Sequence, residues 1–428
     1  MLRNKKICVV GLGYIGLPTA CLLARAGYQV VGVDINGERV NLLKNRKLPF
    51  PEPELPELFK SAFKNMEFST KPVPADAFII SVPTPTTENK KPDLTYVESA
   101  SRSVGGVVED GNLVVLESTV PPGTSEKIVL PILLKGKKKG TRIYISHAPE
   151  RAIPGKTISE MVGNDRAIGG VNPESTALTV EIYSSFVKGK IHPTDATTAE
   201  LVKLIENTFR DVNIAFANEL AQLCESIGVN VWEARRLANL HPRVNIHSPG
   251  PGVGGHCISV DPWFLVRRGN AGTDMIKLSR KINDSMPHFV ISQVAEMLEG
   301  INAPTVTVLG VAYKGNVDDW RETPALEIIA LAEKNGWKVK IHDPLVTTFP
   351  LEVEKDLENA IQGSDCLVIV ADHDLYKDID PAKIKGMRRK IVFDSRNLID
   401  ELAWKSAGFD VRVLGKPLPN GIKKPSAS

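Results

Sequence analysis

The chain has 428 residues, with 53 Lys or Arg against 50 Asp or Glu and a net charge of +3 at pH 7. Its hydrophobic and charged fractions, 42% and 24%, are those of a globular protein, and its length predicts about three domains. The near-neutral charge argues against nucleic acid as a partner, and no apolar run reaches the roughly 18 residues of a membrane span.

The five cysteines are scattered along the chain. Their spacing indicates neither a disulfide framework nor a paired metal site, so we expect reduced thiols and no bound metal. The N-terminus enters a strand pattern at once and lacks the architecture of a signal peptide. These features predict a cytoplasmic protein.

The N-terminal segment predicts a dinucleotide-binding unit. A strand at residues 6–10 precedes Gly11, Gly13 and Gly16, a helical pattern runs to Ala26, and a second strand ends at Asp34. The three glycines allow the tight turn, the approach of a pyrophosphate and close helix packing, while the acid accepts hydrogen bonds from a ribose. Because Asp34 would repel a 2′-phosphate, NAD is favoured over NADP. The expected cofactor-binding residues are Gly11, Gly13, Tyr14, Ile15, Gly16 and Asp34.

Three more strands are predicted at residues 77–82, 113–118 and 142–146, and their alternation with helices implies a parallel sheet. In such sheets the loops after the strand ends form the ligand crevice. Thr84 and Thr119 lie in these loops. They are candidates to bind nicotinamide, ribose or a catalytic water, and the alternative is that each is an ordinary turn residue.

A single long helix is predicted from Asp195 to Gly228, with apolar residues at helical spacing. Lys203, Asn207 and Arg210 share another face, which is either solvated or part of a site. Lys and Asn are donors suited to an oxyanion, and a desolvated lysine can act as a general base. The apolar length also predicts a subunit interface, so we expect a homodimer or a higher homo-oligomer.

The segment from Gly250 to Trp263 contains four glycines and Cys257. Glycine-rich backbone of this kind is atypical of helices and central strands, so Cys257 is expected on a loop. The other four cysteines lie in apolar patterns typical of buried residues. Cys257 is either a tolerated free thiol or, as we expect here, a nucleophile. A dyad with His256 is not favoured, because adjacent residues on an extended loop point in different directions.

After Pro304 a second α/β unit is predicted, with strands at residues 305–310, 338–341, 365–370 and 390–394. It lacks a GxGxxG segment and therefore need not bind a second dinucleotide. Lys314, Arg321 and Arg396 follow strand ends, where they would meet an anionic ligand or remain solvated. Before this unit, His241 and Arg243 are candidates to contact a phosphate or a neighbouring subunit. The tail from Lys416 is expected to be poorly ordered.

The predicted fold class is α/β, with two Rossmann-like parallel-sheet domains joined by a central long-helix dimerisation domain. The expected domains are residues 1–194 for NAD, 195–298 for the long helix and the Cys257 loop, and 299–428 for the second Rossmann-like unit.

Together these motifs resemble the nucleotide-sugar 6-dehydrogenase family, which includes UDP-glucose dehydrogenase, over nearly the whole chain. The matching segments lie in both sheets and in the central part: Gly11–Pro18, Ser118–Thr124, Lys203 with Asn207, Gly254–Cys257 with Asp261, Gly310–Lys314 and Arg321–Pro324.

The resemblance implies a four-electron oxidation of the CH₂OH group of a UDP-sugar to a carboxylate, with two NAD⁺ and no metal. Cys257 would form a thiohemiacetal and then a thioester. Lys203 and Asn207 would stabilise the oxyanions, with Lys203 as acid or base, and Asp261 would orient Lys203 or a water. Glu150 and Thr119 would hold or activate the hydrolytic water.

Two segments depart from the UDP-glucose branch. Pro149–Gly155 stands where that branch has a Pro-Glu-Phe-Leu type segment, and Val260 replaces the Lys that precedes its Asp. Both features resemble the branch that acts on UDP-N-acetyl-D-mannosamine. Thr84, Thr119 and Arg321 are further expected cofactor contacts. The expected substrate contacts are Arg151, Ala152, Lys203, Asn207, Arg210, His241, Arg243, Gly254, Tyr313, Lys314 and Arg396.

Three alternatives remain at this point. The same chemistry could act on UDP-glucose or another UDP-N-acetylhexosamine. The chain could instead be a two-electron hydroxyacid dehydrogenase in which Cys257 is incidental, or a catalytically silent sensor of NAD or a UDP-sugar.

Overall fold

The computed structural model describes residues 5–87, 89–153, 155–255, 257–268 and 272–417, without the side chains of Arg267 and Arg268. These residues form two compact units. The first unit takes the chain through Glu206 and adds a short segment that begins at Trp263. The second takes Asn207–Pro262 and the described residues from 272 onward. The division into three domains stays a prediction.

The first unit contains an eight-stranded sheet. Its strands are β1 (Lys6–Val10), β2 (Gln29–Val33), β3 (Met66–Ser69), β4 (Ala77–Ile80), β5 (Leu113–Leu116), β6 (Tyr144–His147), β7 (Arg166–Gly170) and β8 (Ile191–Asp195). Their order is β3-β2-β1-β4-β5-β6-β7-β8, and all neighbours are parallel except β6 and β7.

Helices cover both faces of this sheet. They are α1 (Gly16–Arg25), α2 (Gly37–Lys44), α3 (Leu55–Ala62), α4 (Thr95–Gly105), α5 (Leu130–Leu134), α6 (Thr157–Gly163) and α7 (Pro173–Tyr183), with a 3₁₀ turn at Phe63–Asn65 and a π-helical turn at Ser125–Val129. Alternate residues of β1 enter different cores: Ile7 packs in one apolar cluster and Cys8 in the other. The strand is therefore buried on both faces, as expected for a parallel sheet.

The long helix α8 (Ala196–Ile227) matches the prediction to within one residue at each end. It begins in the first unit and ends in the second. It is followed by α9 (Val231–Ala238), α10 (Asp261–Arg268) and α11 (Asp274–Met297).

The second unit contains a five-stranded parallel sheet in the order β10-β9-β11-β12-β13. Its strands are β9 (Thr305–Leu309), β10 (Lys338–His342), β11 (Cys366–Ile369), β12 (Ile391–Asp394) and β13 (Asp410–Val413). Its helices are α12 (Pro324–Lys334), α13 (Leu357–Ile361), α14 (Asp374–Lys377) and α15 (Glu401–Ser406), with a 3₁₀ turn at Pro381–Lys383. Apolar clusters again fill both sides of the sheet.

The strands predicted for the first sheet pair in parallel, as expected, whereas β7 runs antiparallel to β6. Strands β3, β7, β8 and β13 were not predicted. Three of them, β3, β8 and β13, form sheet edges. Edge strands carry a weaker apolar pattern, and β8 even contains Pro193, which an edge tolerates.

None of the helices in the described ranges is both long and apolar enough to cross a membrane. The predicted disorder of the tail from Lys416 falls mainly on residues 418–428, which lie outside the described residues.

Candidate active site

The glycine segment after β1 combines two glycines that the fold requires with one that leaves space. Gly11 has φ +95°, and a Cβ added there would lie 2.2 Å from the Ser81 carbonyl oxygen. A Cβ at Gly16 would lie 1.9 Å from the Gly11 carbonyl oxygen. A Cβ at Gly13 would meet none of the described atoms within 4 Å. The N-terminus of α1 is therefore open at Gly13, which fits the pyrophosphate of a dinucleotide.

Asp34, which follows β2, is buried, and three hydrogen bonds hold its carboxylate in place. Its Oδ2 accepts the N–H of Leu12 at 2.9 Å, and its Oδ1 accepts the N–H of Asn36 at 2.9 Å. Arg39 Nη1 also donates to Asp34 Oδ2 at 2.9 Å. Sequence reasoning did not single out Arg39. A basic residue one turn into the helix that follows the acidic residue would have been the signal.

The loops after β4 and β5 are joined by a side chain. Ser118 Oγ accepts the N–H of Val82 at 2.8 Å and donates to its carbonyl at 2.7 Å. Glu200 on α8 accepts the N–H of Ser125 at 2.7 Å and that of Gly123. Thr84 and Thr119, half-buried in these loops, keep their predicted roles as predictions.

Carboxylates hold the loop after β6. Glu150 Oε1 accepts the N–H groups of Arg151 at 2.7 Å and Ala152 at 2.9 Å, while its Oε2 pairs with Arg166. Further along, Glu52 accepts the N–H groups of Gly155 and Thr157. Neither Arg166 nor Glu52 was predicted, because acids and bases far apart in sequence give no local signal.

Arg151, a predicted substrate contact, forms an ion pair of 2.5 Å with Glu206 on α8. Both side chains are about one third exposed, at 28% and 35%. The pair points the guanidinium toward the same helix that carries Lys203. Glu206 is therefore another residue, after Arg39, Arg166 and Glu52, that sequence reasoning missed.

Lys203 is 9% exposed, and the fully buried His147 at the end of β6 lies within its electrostatic reach. Burial, and then the charge of Lys203, lower the pKa of His147 to about 3. The imidazole is therefore neutral at physiological pH. Neither of its ring nitrogens hydrogen-bonds to another of the described residues.

In the second unit, Asn207 and the Cys257 turn are linked through Asp261. Asn207 Nδ2 donates to Asp261 Oδ2 at 2.6 Å, and both side chains are buried. The N–H of Asp261 donates to the Cys257 carbonyl at 2.8 Å. Asp261 was expected to orient Lys203 or a water, and that role stays a prediction. The hydrogen bond described here orients Asn207.

The glycine-rich segment forms a loop, as predicted, and packs against the backbone at Arg321. The N–H of Gly255 donates to the Arg321 carbonyl at 2.9 Å, and a Cβ at Gly254 would lie 2.6 Å from the Glu322 carbonyl oxygen. Gly252 and Gly255 have φ of +134° and +83°. Only glycine accepts this combination of positive φ and close backbone approach without strain. His256, the rejected dyad partner, lies outside the described residues.

Cys257 differs from the other cysteines of the chain, all five of which are described. It is half-buried, whereas the other four are buried. Burial raises the pKa of Cys8 to about 11 and raises the pKa of Cys21 and of Cys366 further still. Those thiols are poor nucleophiles, because the thiolate is the reactive form.

Two side chains, Tyr313 and Arg321, lie within electrostatic reach of Cys257. The hydrogen bond to Asp319, with the charges of Asp319 and Cys257, raises the pKa of Arg321. Burial and the same two charges raise the pKa of Tyr313. Arg321 also pairs with Asp319 at 2.6 Å. A cation and a phenol thus lie within electrostatic reach of the thiol.

The remaining substrate candidates differ in exposure. Arg210, Lys314, His241 and Arg243 are exposed, and the last two contact each other at 3.4 Å. Arg396 donates from Nε to the Val370 carbonyl at 2.7 Å, and a Cβ at Gly250 would lie 2.9 Å from its Nη1. The structure of this unit therefore supports Arg396 beside the glycine-rich segment.

Family models match three consecutive parts of the chain. The NAD binding domain of the UDP-glucose/GDP-mannose dehydrogenase family matches residues 5–187, its central domain residues 197–285 and its UDP binding domain residues 307–401.

Similar proteins span almost the entire chain. The chain is 50% identical over 423 residues to a UDP-N-acetyl-D-mannosamine dehydrogenase of Methanococcus maripaludis, which covers 96% of this chain and 97% of the relative. It is 42% identical over 409 residues to an NDP-N-acetyl-D-galactosaminuronic acid dehydrogenase of Ralstonia nicotianae, with 92% and 96% coverage. A solved UDP-D-ManNAc dehydrogenase structure from Pyrococcus horikoshii matches with a TM-score of 0.90 and 43% identity, covering 96% of this chain and 99% of that one.

The open glycine segment before α1, the acid that follows β2 and a second Rossmann-like sheet without a GxGxxG segment agree with these matches. The chain therefore belongs to the UDP-glucose/GDP-mannose dehydrogenase family and is an NAD-dependent UDP-sugar dehydrogenase.

Proposed function

We propose that this enzyme oxidises the C6 hydroxymethyl group of UDP-N-acetyl-D-mannosamine to a carboxylate, through a thiohemiacetal and a thioester on Cys257. The observation that carries the proposal is the Cys257 turn. It holds the one half-buried thiol among five described cysteines, and its own backbone accepts from Asp261, which in turn orients Asn207.

The redox balance requires two oxidations. NAD⁺ accepts one hydride in each of them. The alcohol RCH₂OH, two NAD⁺ and one water give the carboxylate RCOO⁻, two NADH and three protons. Between the oxidations the Cys257 thiolate adds to C6, so that a C–S bond forms and the carbonyl electron pair moves to oxygen. In the last step water adds to C6 and the thiolate leaves as the C–S bond breaks.

Each polar group that we assign to the reaction has a role in this scheme. Lys203 removes the proton of the C6 hydroxyl and stabilises the oxyanions, and Asn207 donates a second hydrogen bond to them. Asp261 keeps the Asn207 amide in the donating orientation, as its 2.6 Å hydrogen bond supports. Glu150 and Thr119 hold the hydrolytic water.

We assign the NAD site to the first unit on its geometry. The open space at Gly13, the turn at Gly11 and the carboxylate of Asp34 fit the pyrophosphate and a ribose. Gly16, Tyr14, Ile15, Thr84 and Thr119 complete the contacts from this unit. Arg321 of the second unit stays a predicted cofactor contact.

We assign the UDP-sugar mainly to residues in and around the Cys257 loop. Gly254 lies in the loop and Tyr313 packs against it, while Lys314 and Arg396 follow β9 and β12. Arg151 and Ala152 present the loop after β6. The remaining assigned contacts lie on α8 and the segment after α9: Lys203, Asn207, Arg210, His241 and Arg243.

The names of the relatives support the choice of sugar. The relative at 50% identity is named a UDP-N-acetyl-D-mannosamine dehydrogenase, and so is the solved Pyrococcus horikoshii structure. The Ralstonia relative, named for an N-acetyl-D-galactosaminuronic acid, makes another N-acetylhexosamine the first competitor. Arg151, held by Glu206, is the side chain that would distinguish an N-acetylated sugar.

We also propose that a second copy of the chain covers an apolar face of α8. Phe209, Phe216, Leu223 and Ile227 are each at least 49% exposed, at helical spacing. A face of this kind is typical of subunit interfaces. Light scattering on the purified protein should give a dimer or a higher oligomer, and Phe216→Glu should shift the mass toward the monomer. The reduced thiol that the chemistry needs favours a cytoplasmic location.

The test is a panel of UDP-sugars with NAD⁺, followed by absorbance and product mass. We expect the highest kcat/KM for UDP-N-acetyl-D-mannosamine and two NADH for each acid formed. One NADH per product would support a two-electron dehydrogenase, and a higher kcat/KM for UDP-glucose would overturn the choice of sugar.

Two variants test the chemistry. Cys257→Ser should abolish acid formation while slow hydride transfer persists, and Cys224→Ser is the matched control with unchanged turnover. Full turnover of Cys257→Ser would refute the covalent scheme. Lys203→Ala should slow both oxidations, and an unchanged kcat would remove Lys203 from the site.

A further inference from the structure

A buried chain of polar side chains in the first unit is not used by the chemistry above. Thr19 on α1 donates to both oxygens of Glu117, at 3.3 and 3.2 Å. The hydroxyl of Tyr183, at the end of α7, donates to Glu117 Oε1 at 2.6 Å. The Tyr183 ring lies 5.1 Å from the guanidinium carbon of Arg166, and Arg166 pairs with Glu150.

The burial of this chain is unusually complete for groups of this chemistry. All five side chains are at most 9% exposed. Buried ion pairs contribute little net stability, since their attraction has to offset the loss of hydration. In addition, Arg166 Nη1 has no hydrogen-bond partner among the described residues. An apolar core would stabilise the sheet as well, so stability does not explain these residues.

The position of Glu150, at one end of this row of polar side chains, explains these residues better. Both oxygens of Glu150 are engaged: Oε2 by Arg166, and Oε1 by the N–H groups of Arg151 and Ala152. Arg166 therefore determines where the carboxylate lies, and the carboxylate determines where the loop after β6 lies. The opposite end, Thr19, is on α1, the helix that follows the glycine segment after β1.

We propose that Arg166, Tyr183 and Glu117 are positioning residues for the hydrolytic half of the reaction, acting through Glu150 and the loop amides of Arg151 and Ala152. This inference rests on the proposed function, in which Glu150 holds the attacking water. The oxidations depend on Cys257, Lys203 and Asn207, so the two halves of the reaction should respond differently to changes in this chain.

The chain also contains a group that titrates near neutrality. Burial raises the pKa of Glu117 to about 7, against the hydrogen bond from Tyr183 and the charge of Arg166, while the charge of Glu150 adds to the increase. The groups that face Glu117 are therefore Thr19 from α1, Tyr183 from α7, Arg166 from β7 and Glu150 from the end of β6. Once Glu117 ionises, Arg166 attracts two carboxylates and holds Glu150 less firmly.

The experiment uses the full chain with NAD⁺ and the UDP-sugar that it oxidises. In Arg166→Lys and Tyr183→Phe we expect the first NADH per site to form within about twofold of the wild-type rate. Steady-state turnover should fall at least tenfold, and intact mass should show a covalent adduct on the enzyme. Glu117→Gln should remove the limb near pH 7 from the pH profile of hydrolysis. Arg102→Lys and Tyr144→Phe, on the same unit, are the matched controls and should change neither step.

Equal losses in the first oxidation and in hydrolysis would show that the chain has a structural role only, and unchanged turnover would overturn the proposal as well. If Arg166→Lys does not fold, the more conservative Tyr183→Phe decides. Hydrogen exchange supplies a readout that needs no substrate: the amides of Arg151 and Ala152 should exchange faster in both variants than in the wild type. Unchanged exchange would refute the positioning role, whereas failure of the wild type to oxidise any UDP-sugar would refute the proposed function.

Discussion

The two Rossmann-like units begin in the same way and then use the same residue type for different ends. Gly11 after β1 and Gly310 after β9 have φ of +95° and +90°. The N–H of each donates at 2.8 Å to the carbonyl of the last residue of the neighbouring strand, Val33 or His342. Each neighbouring strand is followed by an aspartate, Asp34 or Asp343, that accepts N–H groups from the glycine loop.

What surrounds the two aspartates differs. Asp34 lies beside a glycine with open space and is paired with the half-exposed Arg39. Asp343 has no exposed surface and accepts the N–H groups of Val311, Ala312, Leu345 and Val346, with His373 at 3.1 Å. Burial alone would raise the pKa of Asp343, but the hydrogen bonds from His373 and the backbone hold it well below its usual range.

The difference shows that the same local arrangement can lie beside open space or be enclosed by the protein. In the first unit we expect the aspartate to accept ribose hydroxyls as well as its present donors. In the second unit its acceptor capacity is used by the protein itself.

The largest effect is expected when the buried aspartate of the second unit is removed. Asp343→Ala removes the acceptor of four buried backbone N–H groups and of His373, and should lower the free energy of unfolding by about 3–5 kcal/mol. Denaturant unfolding measures it. The exposed Asp378→Ala should change the same quantity by less than about 0.5 kcal/mol. A small loss in Asp343→Ala would mean that the carboxylate is not structural.

The next effect concerns a buried carboxyl in each unit. Burial raises the pKa of Glu117 to about 7, and likewise the pKa of Glu225 in the second unit, against an N–H bond from Gly415 and the charge of Arg412. Between about pH 4.5 and 7 the folded chain binds more protons than the unfolded chain, so the free energy of unfolding falls as pH rises. For Glu117 the fall should be about 2–3 kcal/mol.

Glu117→Gln and Glu225→Gln should each remove one part of this pH dependence, because a neutral amide has no proton to lose. Thermal unfolding across pH 4–8 measures it, with the exposed Glu67→Gln as control. A wild-type stability that rises with pH through this window would contradict the raised pKa values.

A third prediction concerns the glycine loop of the first unit. Gly13→Ala adds a methyl group where no described atom lies within 4 Å, so the fold should keep its Tm. The methyl would occupy the space assigned to the pyrophosphate, so the KM for NAD⁺ should rise about 30-fold, or about 2 kcal/mol. Gly37→Ala, also open and outside the cofactor segment, is the matched control. A lower Tm without a change in KM would show that Gly13 serves the fold.

The smallest effect is expected for Asp34→Ala. Its KM for NAD⁺ should rise about tenfold, close to 1.4 kcal/mol, and the preference over NADP⁺ should shrink because the repulsive carboxylate is lost. The decrease in Tm should remain below that of Asp343→Ala. Kinetics with both cofactors provide the measurement, and the exposed Glu38→Ala on α2 is the control. An unchanged preference would remove Asp34 from the ribose site.

Much of the fold followed from local patterns. The apolar runs predicted nine of the thirteen strands in the described residues, and the long helix was placed to within a residue at each end. Three of the four missed strands lie at sheet edges, where the apolar pattern weakens. The reversed direction of β7 could not be predicted, because strand direction depends on which neighbour the chain reaches and not on its own residues.

The candidate site divides along the same line. By itself the amino-acid sequence determined the glycine loops, the acid after β2 and the loop position of Cys257, since positive φ, close backbone approach and loop position depend on residue type and near neighbours. Tertiary structure alone decided that Asp261 binds Asn207, that Arg166 holds Glu150 and that Asp343 is sealed by His373. Each of these pairs joins residues between 16 and 54 positions apart, and such contacts arise only when folding brings separate helices and strands together.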